Sequence, residues 1–155
     1  MAKIIKKKTS TRGKRIGVVI SEFNDYITKR LLSGCMEELS RCGIRDPDVT
    51  VAWVPGAFEI PVVAGKLARK KNMDVVICLG AVVRGETMHY DLVAQGAAQG
   101  IMQVALMTGK PVIFCVLATD TLEDAYKRAD VKGGNKGGEA AQTALKMIDV
   151  MKKLK

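Results

Sequence analysis

The only histidine of the chain, His89, stands in Gly80-Ala81-Val82-Val83-Arg84-Gly85-Glu86-Thr87-Met88-His89-Tyr90. Imidazole is the one side chain whose ordinary pKa lets it take and give protons near neutrality. That makes His89 the first candidate for proton transfer, although a lone His more often decorates a surface or a helix end. Next to it, Gly85-Glu86-Thr87 opens a helical pattern, where free N–H groups and the helix dipole hold an anion as readily as they form a plain cap. Arg128, Lys132 and Lys136 flank the glycine-rich Gly133-Gly134-Asn135-Lys136-Gly137-Gly138. Each alone reads as a solvated charge; together with an anion-ready loop they point to a phosphate. Phe23, between Glu22 and Asn24-Asp25, is either a core aromatic or a plate for a flat ligand. Glu59 is either a helix-terminus carboxylate or an acceptor for a polyol or amine.

These residues must be held by strands and helices, and the pattern supplies them in alternation. Ile16-Gly17-Val18-Val19-Ile20 is a continuous β-branched run, the mark of a strand buried on both faces. Asp25 to Cys42 places Ile27, Leu31, Met36 and Leu39 at helical spacing, and Gly43 ends the segment. Val49 to Val54 is a second strand, which Pro55–Pro61 turns into a helix running to about Lys71 with Pro61 in its first turn. Val75 to Leu79 is the third strand, Gly80 to Tyr90 the central loop, and Asp91 to Met107 the next helix. Val112 to Leu117 is the fourth strand. Thr119-Asp120-Thr121 caps a short helix, about Leu122 to Arg128. Gly133 to Gly138 reads as a flexible hinge before a last helix, about Glu139 to Lys153.

Four strand–helix alternations give an α/β fold, a parallel four-stranded sheet between helices in a three-layer α-β-α sandwich, because parallel neighbours need crossovers. Ligands of such sheets bind beyond the carboxyl ends of the strands. Phe23 follows strand one, Ala57-Phe58-Glu59 strand two, the His89 loop strand three and Thr119-Asp120-Thr121 strand four. Four segments are thus expected to converge on one edge, which argues for a site far more strongly than His89 does alone.

Composition narrows the class. A chain of 155 residues with 48% hydrophobic and 26% charged content forms one soluble domain, here residues 15–155 behind a basic segment, residues 1–14. No apolar run reaches the length of a membrane span, and a lysine-rich start without an apolar core argues against export. Cys35, Cys42, Cys78 and Cys115 lack C-x-x-C spacing and fall inside apparent helices and strands, the pattern of buried thiols in a cytoplasmic protein. One His without clustered Cys argues against a zinc site. The net charge of +9 is partly gathered in Lys3, Lys6, Lys7, Lys8, Arg12, Lys14 and Arg15. No aromatic is interleaved there, so a solvated terminus is favoured over a nucleic-acid platform. Neither G-x-x-x-x-G-K-[ST] nor a G-x-G-x-x-G after strand one is present, which disfavours the standard nucleotide sites. Spacing supports no Ser-His-Asp or Cys-His arrangement.

Phe23-Asn24, Val54-Pro55-Gly56-Ala57-Phe58-Glu59-Ile60-Pro61, Leu79-Gly80-Ala81-Val82-Val83-Arg84-Gly85-Glu86-Thr87 with His89, and Asn135-Lys136-Gly137 with Glu139-Ala140-Ala141 follow in order. In these motifs the sequence resembles the 6,7-dimethyl-8-ribityllumazine synthases over nearly the whole chain from Arg15. The resemblance implies a flavodoxin-like sheet and a condensation that needs no cofactor and no metal. It joins 5-amino-6-(D-ribitylamino)uracil to 3,4-dihydroxy-2-butanone 4-phosphate with release of phosphate and water. Carried over by motif, Phe23 stacks on the pyrimidine. Ala57, Phe58 and Glu59 contact that substrate, with Glu59 on the ribityl chain, and Ala81, Val82 and Val83 line the ring pocket. Glu86 and Thr87 receive the phosphate of the four-carbon substrate, and His89 is the proton donor. Phe114 and Arg128 come from a neighbouring subunit, Arg128 gripping the phosphate with Lys136 nearby.

The chain departs from the family pattern at Glu22, where an Arg is common, and at Leu92, where an aromatic is common. Cys115 and Asp130 each stand where a Gly is usual. The resemblance also implies a pentamer. The segment between Arg128 and Asn135 lacks the insertion of members that stop there, which implies an icosahedral shell of pentamers. Two other readings stay open: an archaeal-type riboflavin synthase, which would consume lumazine, and a non-catalytic shell whose basic segment packages anionic cargo.

Overall fold

The computed structural model describes residues 1–5 and 11–155. Lys6, Lys7 and Lys8, central to the basic segment, lie outside the described residues. Four strands, β1 (Ile16–Ser21), β2 (Val49–Val54), β3 (Val75–Val83) and β4 (Val112–Thr119), form one parallel sheet in the order β2-β1-β3-β4. Among the described residues five α-helices cover it: α1 (Asp25–Arg41), α2 (Ile60–Ala68), α3 (His89–Thr108), α4 (Leu122–Ala129) and α5 (Lys136–Lys153). β1 is central, with Ile16 facing Val49 on one side and Val75 on the other. Every one of its residues is buried, as a strand covered on both faces requires.

The two faces make two cores. Ile16, Val18, Ile20, Ile77 and Leu79 pack against Ile27, Leu31 and Leu39 of α1 and Ala141, Ala144 and Ile148 of α5. On the other face Val19, Val76, Cys78 and Val116 meet Ile60, Ala64 and Leu67 of α2 and Ala97, Ile101 and Val104 of α3. This is the expected three-layer sandwich. Fully buried side chains such as Leu31 and Ile77 each stabilise it by roughly 1.5–3 kcal/mol relative to exposure. At the amino ends of the strands the sheet is closed by polar ties. The Arg15 N–H donates to Asp74 Oδ2 at 2.7 Å, and the buried Asp48 pairs with Arg45 at 3.1 Å and Arg15 at 3.6 Å.

Several boundaries differ from the sequence expectation. β3 runs on through Gly80 to Val83, because β4 pairs with it from Val76–Val112 to Val83–Thr119. Gly80 is accommodated rather than disruptive: a Cβ there would sit 3.2 Å from Ile60 Cδ1, so the core fills the space. α2 ends at Ala68, short of Lys71. α3 begins at His89, so the histidine is its first residue and not part of a long loop, and Gly85-Glu86-Thr87 precede the helix rather than open it. The glycine-rich stretch is no hinge. Asn135 caps α5 by accepting from the Gly138 N–H at 3.2 Å, and the helix includes Gly137 and Gly138. A Cβ on Gly137 would fall 1.9 Å from the Leu31 carbonyl oxygen, so the glycine is what lets α5 lie directly on α1. Cys35, Cys78 and Cys115 are buried, but Cys42, the C-cap of α1, is half-exposed.

Candidate active site

The order β2-β1-β3-β4 reverses direction between β1 and β3, and open α/β sheets bind ligands outside the carboxyl ends at such a point. The segments leaving β1 and β3 are tied together there. The Asn24 side chain, on a left-handed backbone at φ 61°, donates to the Ala81 carbonyl at 2.9 Å. The segment leaving β2 is tied in too: the Glu22 N–H donates to the Val54 carbonyl at 2.7 Å and the Phe23 N–H to the Pro55 carbonyl at 2.9 Å. With its backbone pinned, Phe23 holds its ring 71% exposed. An exposed aromatic on a pinned backbone offers a flat apolar face.

Beside it lies a cleft of about 670 Å³, within the usual range for small-molecule sites. Phe23, Ala57, Phe58, Glu59, Ala81, Val82, Val83, Thr87 and His89 line it, together with Gly56, Gly85, Tyr90, Leu92 and Val93. Of the expected residues, these nine are therefore brought together on one chain. Phe58 and Glu59 stand on a 3₁₀ turn, Ala57–Glu59, that leads into α2 with Pro61 in its first turn. Thr87 Oγ1 accepts the His89 backbone N–H at 3.2 Å, holding the two side chains adjacent at the start of α3. Val93 follows His89 by four residues, and that spacing puts it on the same helix face. Gly56, Tyr90 and Val93 carry no chemical signal of their own in the sequence; only their distance along the chain from Glu59 and His89 marks them.

The remaining expected residues lie elsewhere. Glu86 is exposed between Gly85 and Thr87 and does not line the cleft. Phe114 sits toward the amino end of β4 opposite Cys78. With Lys136 it lines a second concavity, about 540 Å³, along the uncovered edge of that strand. Lys136 pairs there with Glu139 at 3.2 Å, and the Cys115 thiol donates to the Lys136 carbonyl at 3.5 Å. Arg128, in the last turn of α4, lines neither concavity; its Nη1 donates to the Asp124 carbonyl at 3.1 Å, and the side chain is exposed.

The expectation that all four strand ends line the site needs correction, since Thr119-Asp120-Thr121 does not touch the cleft. Its contribution passes through Arg84. The Arg84 N–H donates to the Thr119 carbonyl at 2.9 Å. Its guanidinium donates to Asp120 at 2.8 Å, lies 3.9 Å from Asp91 and covers the Tyr90 ring at 4.5 Å. The hydrogen bond to Asp120 raises the Arg84 pKa above its ordinary value, and the Asp91 charge adds to that. Sequence reading missed this residue because Thr119 and Asp120, which tie it to the end of β4, are far away along the chain.

Fold and cleft together define an α/β protein with an aromatic-walled cleft of small-molecule size at the carboxyl edge of its sheet. Among protein families, 6,7-dimethyl-8-ribityllumazine synthase matches residues 13–152. The chain belongs to that family, a transferase of riboflavin biosynthesis. No helix is long and apolar enough to cross a membrane among the described residues.

Proposed function

We propose that the protein condenses 5-amino-6-(D-ribitylamino)uracil with 3,4-dihydroxy-2-butanone 4-phosphate to give 6,7-dimethyl-8-ribityllumazine, phosphate and water. The observation that carries this reading is the gathering of Phe23, Phe58, Glu59, Thr87 and His89 around one cleft in a chain of this family. Phe23 stacks on the pyrimidine against Ala81, Val82 and Val83, with Ala57 and Phe58 on the other side and Glu59 accepting from the ribityl hydroxyls. Glu86 and Thr87 receive the phosphate of the four-carbon substrate, and His89 donates protons. Schiff-base formation, phosphate loss and ring closure chiefly require two substrates held together and protons moved between them. Positioning can supply roughly 7–11 kcal/mol of barrier reduction, and acid–base help about a further 10²–10⁴-fold.

The active unit on this reading is a homo-oligomer, a pentamer that assembles further into an icosahedral shell. Phe114, Arg128 and Lys136 lie outside the cleft of their own chain, and a neighbouring copy delivers Phe114 and Arg128 to it. A planar guanidinium suits that phosphate because its fork binds two oxygens at once. The cytoplasm is the fitting compartment. Burial pushes the Cys35 and Cys115 thiols up to about 12, which leaves little thiolate at neutral pH.

The test mixes purified protein with both substrates and follows lumazine fluorescence and released phosphate. Product that depends on both substrates and on protein, above the spontaneous reaction, is expected. A folded oligomer that forms none sinks the proposal, and one that instead consumes lumazine is a riboflavin synthase.

A further inference from the structure

Helix α3 presents His89, Val93 and Gly96 at i, i+4 and i+7, one stripe on one face. His89 and Val93 line the cleft, and so does the ring of Phe58, which is 59% exposed. Gly96 is where that ring meets the helix. A Cβ built on Gly96 would lie 2.5 Å from Phe58 Cε1 and 3.0 Å from Cδ1. Carbon atoms do not approach that closely, so any side chain at this position moves the ring. One turn further along, Gly100 receives Pro61 in a similar way, its Cβ position 2.6 Å from Pro61 Cγ. The two contacts differ in what can yield. Pro61 is a closed ring fixed in the first turn of α2, whereas Phe58 swings about its own side-chain torsions into open space.

We infer that Gly96 is a positioning residue for the reaction: the missing side chain seats Phe58 flat on α3 and thereby sets the width of the cleft between that ring and the His89–Val93 stripe. The inference rests on the proposed function, in which Phe58 contacts the pyrimidine. It carries an unusual sign. Glycine inside a helix is a weak helix former, so alanine there favours folding. A residue that costs stability and is held in place by a cleft wall serves the cleft.

The experiment compares wild type, Gly96→Ala, Phe58→Ala, the double variant and Gly100→Ala in steady-state kinetics and thermal unfolding. Gly96→Ala is expected to keep Tm or raise it by about 2–4 °C. Its KM for the aminouracil should rise roughly two- to tenfold, the worth of one aromatic contact, with KM for the butanone phosphate unchanged. In the Phe58→Ala background the same substitution should add nothing, because no ring remains to displace. Gly100→Ala should instead lower Tm. Unchanged KM in Gly96→Ala overturns the inference. So does an equal rise with Phe58 already removed, or a Tm loss matching that of Gly100→Ala. A wild-type protein without lumazine synthesis counts against the proposed function alone. The crystal structure of Gly96→Ala then decides the inference, a displaced Phe58 ring supporting it and an unmoved one ending it.

Discussion

Two concavities of this chain differ in kind. The cleft beyond β1 and β3 is built from segments leaving three strands, holds the imidazole, and is walled by aromatics, of which Phe23 is pinned by its backbone N–H on the Pro55 carbonyl. The groove beside β4 runs along that strand and the first half of α5, and holds Phe114, Lys136 and Glu139 but not the histidine. Neither contains Arg128. One has the imidazole and no arginine or lysine in its lining; the other has an aromatic and a lysine paired with Glu139, and no imidazole. An exposed strand edge with a half-exposed Phe114 is also a liability unless something covers it. On the proposed reading each concavity is half of a site, and the difference between them is what a second copy would complete.

That comparison breaks most plainly at His89. His89→Ala is expected to lower kcat by about a hundredfold or more, the usual worth of a positioned acid or base, while sedimentation shows the assembly unchanged. Turnover that survives intact would leave the cleft as a binding surface with its chemistry elsewhere. Arg128→Ala should lower kcat/KM for the butanone phosphate roughly 10- to 100-fold, as loss of a charge-assisted hydrogen bond does, with little change in aminouracil KM. An equal loss toward both substrates would remove Arg128 from the phosphate.

Mixing the two variants sharpens the comparison. If each site takes His89 from one copy and Arg128 from the next, a random ring of equal parts restores about a quarter of its sites, since both neighbours must carry the intact residue. Co-assembled His89→Ala and Arg128→Ala chains should then recover activity that neither has alone. Mixed assemblies no more active than the sum of their parts would mean that both residues serve the cleft of a single chain.

The parts of this architecture that were legible in the sequence are those written locally. Val49–Val54 follows from its β-branched run, and the α4 start from Thr121, whose hydroxyl accepts the Asp124 N–H at 3.0 Å. The cleft residues were legible because loops at strand ends keep sequence order and spatial order together. What failed was set by distant partners. Gly80 looks like a strand breaker until Val116 pairs with it and Ile60 fills its side. Gly133–Gly138 looks like a hinge until Gly137 is seen against the Leu31 carbonyl. No local pattern says that Phe114 and Arg128 stand away from the cleft; the basic set pointed Arg128 to a phosphate, and only family resemblance gave Phe114 a role or placed either on a neighbouring copy.

Arg84 tests how far the cleft half extends, and the smallest effect is expected there. Its guanidinium joins Asp120, Asp91 and Tyr90, yet it is about half exposed and Asp120 is more so. Surface ion pairs contribute about 0–1 kcal/mol, and salt screens them further. The backbone bond from the Arg84 N–H to Thr119 survives any side-chain change, so β3 keeps its register on β4. Arg84→Ala should therefore loosen only the short segment that carries Thr87 into α3, lowering kcat/KM about two- to fivefold. The deficit relative to wild type should shrink at high ionic strength, where wild type loses the same ties. A hundredfold loss, insensitive to salt, would place Arg84 on the substrate itself and move the boundary of the cleft outward to include the end of β4.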